Sequence, residues 1–476
     1  MAEHIKNTFE SAGQGHVFSF WDSSSQDERS QLLKNLEDID VERVNKIFKT
    51  ATSVAPSAAQ DSIAPLPESS FDTTRKDPAK VKAWEEKGLQ LMGQNKVAVI
   101  LLAGGQGTRL GSAEPKGCYD IGLPSGKSLF QLQGERILKL QKLATKYSDG
   151  KEVIIPWYVM TSGPTRKATE TFFEKHNFFG LRPENVIFFE QGVLPAFTPD
   201  GKIFLESKTT PAVAPDGNGG IYAALDRQGV ISDLERRGIP YVHAYCVDNC
   251  LVKVADPVFI GYCVGKNADC GAKSVPKAYA EEAVGVICYR NGKPGVVEYS
   301  EIDKELAAQK NENGDLVYNA GNIANHFYTT EFLRRVKSFE HQLEYHIAHK
   351  KIPHVDLQSG EKIKPTATNG IKLELFIFDV IPFTERFAVL EVPRAEEFSP
   401  LKNATGSDSP ETSRNDILAQ GKRYVEAAGA KVAADVKVEV GPLASYGGEG
   451  LEELHGVDIK ESVALLTEED VRKLKQ

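Results

Sequence analysis

The residues best suited to chemistry lie in and just after a glycine-rich loop. The apolar run KVAVILLA, which starts at Lys96, is followed at once by GGQGTRLG, and Arg109 lies within that loop. Lys116 follows in the string EPKG. Glycines allow backbone N–H groups to approach phosphate oxygens closely, and two cations can balance their charge. The pattern predicts a polyphosphate site at the end of a buried strand, with a plain strand-to-helix turn as the alternative.

Spacing argues against two other phosphate-binding patterns. A dinucleotide fingerprint requires GxGxxG, whereas Gly105, Gly107 and Gly111 are spaced GxGxxxG. A P-loop requires GxxxxGK[ST], and the nearest string, Gly122 to Ser128, is shorter by one residue and contains a proline. The sequence therefore predicts neither a hydride-transfer enzyme nor a P-loop nucleotidase.

The segments around the loop alternate between strand-like and helix-like patterns. Apolar, β-favouring runs occur at Val153 to Met160, Asn185 to Glu190, Tyr241 to Val247 and Ala283 to Tyr289. Helix-like stretches such as RKATETFFEKH separate them. The alternation predicts a doubly wound, Rossmann-like α/β sheet.

The two ends of the chain differ from the middle in amino-acid composition and in the pattern of apolar residues. Residues 28–48 place apolar side chains on one helical face, and the Ala/Ser/Pro-rich stretch 51–70 predicts an extended connector. After about residue 385 short β-like pieces appear, FAVLEV and VKVEV. We predict an N-terminal helical segment with its connector at 1–95, a central domain at 96–385, and a small C-terminal domain with β structure at 386–476.

Composition narrows the class of protein. With 41% hydrophobic and 26% charged residues, the 476-residue chain is typical of a globular protein. Its net charge of -9 offers no basic surface for nucleic acid, and neither a membrane span nor a signal peptide is predicted. Six cysteines without a CxxC pair indicate reduced thiols and a cytoplasmic location. The histidine-rich string EHQLEYHIAHKKIPH is interpreted as a solvated helix face, since it lacks HExxH spacing.

The strings LAGGQGTRLG and PKGCYDIGLPSGKSLFQLQ resemble the signature of eukaryotic-type UDP-N-acetylhexosamine (UDP-N-acetylglucosamine) pyrophosphorylases. Further similar strings follow in the same order over residues 97–405: EQGVLPAF, APDGNGG, YCVDN, VVEYSEI, NAGNIANHF, NGIKLELFIFDV and EEFSPLKNA. The resemblance implies a GT-A-like nucleotidyltransferase fold. It also implies a uridylyltransferase that makes UDP-N-acetylglucosamine and diphosphate from UTP and N-acetylglucosamine 1-phosphate, with Mg²⁺ as cofactor.

The resemblance also implies roles for individual residues. UTP would be bound by Leu102, Ala103, Gly104, Gly105, Lys116, Gln191, Gly217, Asp248 and Lys372. The sugar phosphate would be bound by Asn218, Gly285, Glu298, Tyr299, Asn322 and Lys402. Arg109, Lys116 and Lys402 would be catalytic.

Asp248 is the candidate Mg²⁺ ligand, because it ends an apolar strand at the edge where open α/β sheets bind ligands. Lys402 lies beyond the central domain, so its contact with phosphate would require the C-terminal domain to fold over the nucleotide.

Two alternatives stay open at this level. A pyrophosphorylase for UDP-glucose or several UDP-sugars would share the mechanism, and assays with different sugar 1-phosphates separate it. A catalytically silent sugar-nucleotide-binding protein would release no pyrophosphate. The retained Arg109, Lys116 and Asp248 favour an enzyme.

Overall fold

A computed structural model describes residues 2–53, 62–299 and 301–475. The chain folds into two compact units. The segmented unit consists of Met1–Asp61, Gln191–Ala224 and Lys337–Val380, and the sheet unit consists of Ser62–Glu190, Leu225–Val336 and Ile381–Gln476. The three-part division predicted from the sequence is a different partition, and it stays a prediction.

The sheet unit is built on eleven strands. In chain order these are β1 (Ile63–Ala64), β2 (Phe71–Thr73), β3 (Val97–Leu102), β4 (Trp157–Thr161), β5 (Val186–Glu190), β6 (Tyr241–Cys246), β7 (Cys270–Pro276), β8 (Val286–Arg290), β9 (Lys293–Val297), β10 (Ala320–Thr329) and β11 (Phe387–Glu391). Each strand predicted from the sequence occurs with shifted ends. Strand β4, for example, begins at Trp157 rather than Val153.

The strands of the main path are ordered β2-β11-β7-β10-β6-β3-β4-β5, and β8 joins β10 to β1 and β9. Strand β3 is parallel to β4 and β6, as the apolar run predicts, and all six of its residues are buried. Strand β10 is antiparallel to both neighbours, β6 and β7. The predicted α/β architecture is therefore confirmed, with a mixed rather than purely parallel sheet.

One strand was assigned to the wrong region. FAVLEV was predicted to belong to a C-terminal domain, but β11 pairs in parallel with β7 and β2 inside the large sheet. This pairing joins residues far apart in the chain, which a local pattern does not reveal. VKVEV does lie outside the large sheet, where Val438–Val440 pairs with Val463–Leu465.

Helices pack around the sheet. They are Pro78–Gly93, Leu129–Ala144, Gly163–Lys175, Val230–Arg236, Pro257–Gly265, Lys304–Ala308, Arg394–Glu397, Pro410–Ala427 and Glu468–Leu474. Further helices are Ile221–Arg227 and Thr330–Phe339. Gly134 lies inside helix Leu129–Ala144, where an added Cβ would come within 3.0 Å of Phe179 and 3.3 Å of Trp157. Close helix packing therefore favours glycine at this position.

Polar side chains are buried in the middle of the sheet. His243 on β6 accepts a hydrogen bond from Ala255 N at Nδ1 and lies 2.6 Å from Asn325 Oδ1 at Nε2. His326 on β10 is fully buried, and neither ring nitrogen has a hydrogen-bond partner in the described part of the chain. Burial lowers the pKa of His243 to about 4 and that of His326 to about 3. Both imidazoles are therefore neutral at pH 7.

The segmented unit contains the N-terminal helices Ala2–Ser11, Gln26–Glu37 and Val41–Ser53. The single helix predicted over residues 28–48 is interrupted at residues 38–40, where Asp40 Oδ1 accepts from Arg43 N at 3.0 Å and starts the next helix. Leu32, Leu36 and Val44 share a hydrophobic cluster with side chains such as Phe197 from the second segment and Leu373 from the third. Residues from all three segments thus share one core.

Short two-stranded ladders complete the segmented unit. They are Val193–Pro195 with Val213–Pro215, Leu205–Ser207 with Thr210–Pro211, His346–Lys350 with Gly370–Glu374, and His354–Val355 with Lys362–Ile363. The prediction of a helix for the histidine-rich string is wrong, because His346–Lys350 is a strand. Of the predicted connector, residues 51–53 are helical and residues 54–61 lie outside the described residues.

The last part of the chain packs against residues 125–139 of the sheet unit. Glu439, almost fully buried, accepts from Ser125 N at 2.9 Å, and Lys139 Nζ donates to Ala444 O at 2.9 Å. All six cysteines are free, and four of them are buried. No helix in the described ranges is both apolar and long enough to cross a membrane.

Candidate active site

The glycine-rich loop leaves the carboxyl end of β3 and folds back on itself. Gly107 N donates to Glu114 O at 3.0 Å, and Lys116 N donates to Gly105 O at 3.2 Å. Gly111 has a φ of 75°, a left-handed conformation that favours glycine. The N–H groups of Gly104 and Gly105 have no acceptor among the residues that the structure describes. The loop thus presents free donors at the strand end, as an anion site requires.

The neighbouring P-loop-like string is structural. Lys127 Nζ is buried and lies 2.6 Å from Glu135 Oε2, so its charge is already paired. Ser128 Oγ accepts from Gln131 N at 3.2 Å and caps helix Leu129–Ala144. These contacts are consistent with the prediction that this string is no nucleotide-binding loop.

Asp248 lies just after β6, at the same edge of the sheet as the glycine-rich loop, since β3 and β6 are parallel. Its carbonyl accepts from Leu401 N at 2.8 Å, and the carbonyl of Leu401 accepts from Lys116 Nζ at 3.1 Å. The structure therefore brings together Lys116, Asp248 and the segment that ends in Lys402. This contact lies within the sheet unit, so no separate domain has to close to bring the segment there.

A hydrophobic cluster lies beneath these polar residues. Leu110 from the glycine-rich loop, Cys250 and Leu251 from the chain after β6, and Leu401 belong to it. Arg109 and Lys402 are each adjacent in sequence to a member, so the cluster fixes their main chain. The side chains of Arg109, Lys402 and Asp248 make no hydrogen bond or ion pair with any described residue.

Cys246, the last residue of β6, lies near charged side chains at this edge, and these charges shift the pKa of its thiol. Burial raises the pKa of the Cys246 thiol to about 12, and the nearby Asp248 carboxylate adds to the rise. Lys116 and Lys402 both act in the opposite direction. Two cations and one carboxylate thus act on the same strand end, an arrangement that suits a phosphate chain with a metal ion.

Three of the predicted sugar-binding residues are close together in the sheet unit. Asn322 N, on β10, donates to Gly285 O at 2.8 Å. An added Cβ at Gly285 would lie 2.9 Å from Glu298 Oε1. Tyr299 follows Glu298 and is 51% exposed. Because β10 runs against its neighbours, its amino end lies at the same edge as the carboxyl ends of β6 and β7.

The remaining predicted residues belong to the segmented unit. Gln191 Nε2 donates to Gly217 O at 2.6 Å, and Asn218 Oδ1 accepts from Ile377 N at 2.8 Å. Gly217 has a φ of 85°, and a Cβ there would lie 2.2 Å from Leu375 O. Lys372 is half-buried on the strand Gly370–Glu374. The structure thus brings Gln191, Gly217 and Asn218 together within this unit.

Sequence reasoning missed two buried residues beside these groups. Asp216 is 5% exposed and is packed so tightly that a Cβ at Gly192 or Gly220 would overlap its carboxylate. Asn249 is 4% exposed and bonds to the chain before Lys402. Each is a polar residue that directly neighbours a predicted site residue in the sequence, and this adjacency is the sequence feature that could have identified it.

The chain matches the family model described as UTP–glucose-1-phosphate uridylyltransferase over residues 42–439. It is 47% identical over 468 residues to the UDP-N-acetylglucosamine pyrophosphorylase of Saccharomyces cerevisiae, covering 95% of this chain and 97% of that protein. It is also 47% identical over 478 residues to the human UDP-N-acetylhexosamine pyrophosphorylase-like protein 1, covering 94% of each.

A solved structure agrees with these matches. The fold is similar to that of the uridine diphosphate N-acetylglucosamine pyrophosphorylase from Trypanosoma brucei in complex with inhibitor. The TM-score is 0.83 at 31% identity, over 95% of this chain and 94% of that one. The chain belongs to the UTP–glucose-1-phosphate uridylyltransferase family and, within it, to the UDP-N-acetylhexosamine pyrophosphorylases.

Proposed function

We propose that the chain is a uridylyltransferase that converts UTP and N-acetyl-α-D-glucosamine 1-phosphate to UDP-N-acetylglucosamine and diphosphate. The observation that carries this proposal is the edge formed by Lys116, Asp248 and the Leu401–Lys402 segment. No described acidic side chain pairs with the cations there, and loop amides without an acceptor among the described residues lie at the end of the parallel neighbour strand. The identity of the two substrates is inferred from membership in the UDP-N-acetylhexosamine pyrophosphorylases.

The chemistry follows from the charge of the reactants. An oxygen of the sugar 1-phosphate attacks the α-phosphorus of UTP in line, the new P–O bond forms, and the bond to the β-phosphate oxygen breaks to release diphosphate. The nucleophile is already an anion at pH 7, so no side chain has to remove a proton. Arg109, Lys116 and Lys402 would hold the phosphates in position and balance the charge that develops on their oxygens.

Mg²⁺ is the proposed cofactor, and Asp248 is the residue that would hold it. The carboxylate fits because it is half-buried at the strand end and makes no hydrogen bond or ion pair with the described residues. The described part of the chain has no group of three or more His, Cys, Asp or Glu suited to a metal, so phosphate oxygens and water would supply the other ligands. When bound, the ion would neutralise phosphate charge.

Selection of the N-acetyl sugar would depend on the residues that contact its acetamido group. Asn218, and the Gly285 backbone with Glu298 and Asn322, are the proposed contacts with the sugar. A pocket that pairs the acetamido group leaves its polar atoms unpaired when glucose 1-phosphate binds, which penalises the smaller sugar. We expect kcat/KM for N-acetylglucosamine 1-phosphate to exceed that for glucose 1-phosphate by about 100-fold or more.

The test is pyrophosphate release from UTP with each sugar 1-phosphate, by the unmodified enzyme and by Lys116→Met. We expect the variant to lose about 30- to 1000-fold in kcat, because it removes a cation aimed at developing phosphate charge. Lys422→Met is the matched control. Lys422 Nζ also donates to backbone carbonyls, those of Ala433 and Ala434, both at 3.0 Å.

Three results would contradict the proposal. No pyrophosphate release with any sugar 1-phosphate would indicate a silent binding protein. Equal efficiencies for the two sugars would favour a broader UDP-sugar pyrophosphorylase. Equal turnover of Lys116→Met and Lys422→Met would remove Lys116 from the site.

We also propose that the protein works in the cytoplasm. Six free cysteines, four of them buried, suit a reducing compartment. Fractionation of cells that express the tagged chain tests this location, and recovery in a membrane or lumenal fraction would contradict it.

A further inference from the structure

Asn249 follows the candidate metal ligand Asp248 and is 4% exposed, although its side chain is an amide. Its Nδ2 donates to Glu397 O at 2.7 Å. Its Oδ1 accepts from Ser399 N at 2.9 Å and from Leu251 N at 3.3 Å. A buried amide that is bonded at both ends fixes the main chain on either side of it. Asn249 therefore ties the chain after β6 to residues 397–399.

The same two segments also bond through their main chains. Cys250 N donates to Ser399 O at 2.9 Å, and Leu401 N donates to Asp248 O at 2.8 Å. Lys402 is the next residue along the chain. Lys402 N itself donates to Asp408 O at 2.7 Å, while the bonds of Asn249 and its neighbours hold the residues just before Lys402 against the strand end.

Other contacts of residues 397–401 point in different directions. Glu397 forms an ion pair with the buried Lys273, and Ser399 Oγ donates to Asp416 Oδ2 at 2.7 Å. These bonds anchor the segment to other parts of the sheet unit. Among the described residues, Lys253 Nζ also lies 3.8 Å from Glu397 Oε1, and the Asn249 amide makes the side-chain hydrogen bonds nearest to Asp248.

We propose that Asn249 is a positioning residue for the transfer reaction. It sets the place of Lys402 relative to Asp248. The inference rests on the proposed function. Asn249 acts through Lys402 rather than on the substrate. A displacement of about 1 Å in a reacting geometry can cost on the order of 100-fold in rate.

A double-mutant cycle tests this inference. The four proteins are the unmodified enzyme, Asn249→Ala, Lys402→Ala and the double variant, each assayed for kcat of pyrophosphate release at saturating UTP, N-acetylglucosamine 1-phosphate and Mg²⁺. We expect the Asn249→Ala substitution to lower kcat about 10- to 100-fold when Lys402 is present. When Lys402 is already replaced by alanine, we expect the same substitution to lower kcat less than about 3-fold. Once Lys402 is gone, its placement no longer matters.

The control is Asn325→Ala, run through the same cycle. Asn325 is also an almost fully buried asparagine of the sheet unit, and it bonds His243 in the middle of the sheet. Its loss destabilises the fold without touching residues 397–402. We expect it to change kcat by the same factor with and without Lys402. Rates are divided by the folded fraction, measured by thermal unfolding.

The outcomes separate the inference from the function. If Asn249→Ala lowers kcat by the same factor with and without Lys402, Asn249 is a merely structural residue. Unchanged kcat in Lys402→Ala would also overturn the inference, while the proposed function would stand. No turnover by the unmodified enzyme would overturn both. If Asn249→Ala does not fold, Asn249→Ser, which keeps one short acceptor, goes through the cycle with the same criteria.

Discussion

Replacing His326 with phenylalanine should change how stability depends on pH. His326 is fully buried on β10, its two ring nitrogens have no partner in the described ranges, and its ring stacks on Tyr328 with centroids 5.8 Å apart. Burial lowers its pKa from 6.5 to about 3, and the nearby His243 adds to the decrease. Phenylalanine has a similar shape and cannot titrate.

The magnitude follows from the two pKa values. At pH 5 an unfolded histidine with a pKa near 6.5 is almost fully protonated, whereas folded His326 stays neutral. The unfolded state binds more protons, so acid destabilises the fold. Between pH 7 and pH 5, His326 alone should lower the free energy of unfolding by about 2 kcal/mol. The loss begins near pH 6.5 and ends as the pH falls through the folded pKa.

The assay is urea unfolding of the unmodified protein and His326→Phe at pH 7 and pH 5. The difference in unfolding free energy between the two proteins should shift by about 2 kcal/mol in favour of the variant on going to pH 5. Packing changes cancel, because they are the same at both pH values. His349→Phe is the control, since His349 is exposed and its replacement removes no buried imidazole. A constant difference for His326→Phe would refute a neutral, unpaired imidazole at this position.

Three further predictions concern single residues. Asp248→Asn keeps the shape but loses the charge, so we expect the Mg²⁺ concentration for half-maximal activity to rise about 10-fold or more at an unchanged melting temperature; an unchanged Mg²⁺ titration would exclude the role. Gly217→Ala forces a Cβ to within 2.2 Å of Leu375 O at a φ of 85°, so it should lose more than about 1 kcal/mol of stability and weaken UTP binding, measured by denaturation and calorimetry. Gly134→Ala should lower stability by about 1 kcal/mol, because crowding against Phe179 outweighs the gain in helix propensity; a clear stabilisation in denaturant would show that Phe179 can shift.

Local patterns predicted the fold where local forces decide it. The apolar run before the glycine-rich loop is β3, and helix Gly163–Lys175 covers the stretch with helical spacing. Patterns failed where a distant partner decides. Strand β11 is defined by pairing with β7 and β2, and His346–Lys350 by pairing with Gly370–Glu374. Each partner lies outside the short window of about 11–18 residues in which a periodic pattern is read, so the pattern does not contain the information.

The candidate site shows the same limit. Asp248 at a strand end and Arg109 in a glycine-rich loop could be selected from residue type and spacing. The bond between Lys116 Nζ and Leu401 O could not, because it joins residues 285 positions apart. Asn249 was overlooked for a similar reason: its three hydrogen bonds are visible only once residues 397–399 lie against it.

The segmented unit has a consequence for synthesis on the ribosome. Its N-terminal helices share a core with a segment that begins only at Lys337. At ordinary rates of translation that segment emerges on the order of tens of seconds after the helices. During this interval the apolar faces that carry Leu32, Leu36 and Val44 lack the partners that the third segment supplies, such as Leu373. We therefore expect the nascent chain to bind chaperones that shield exposed apolar helices, and a chain truncated before Lys337 to be prone to aggregation.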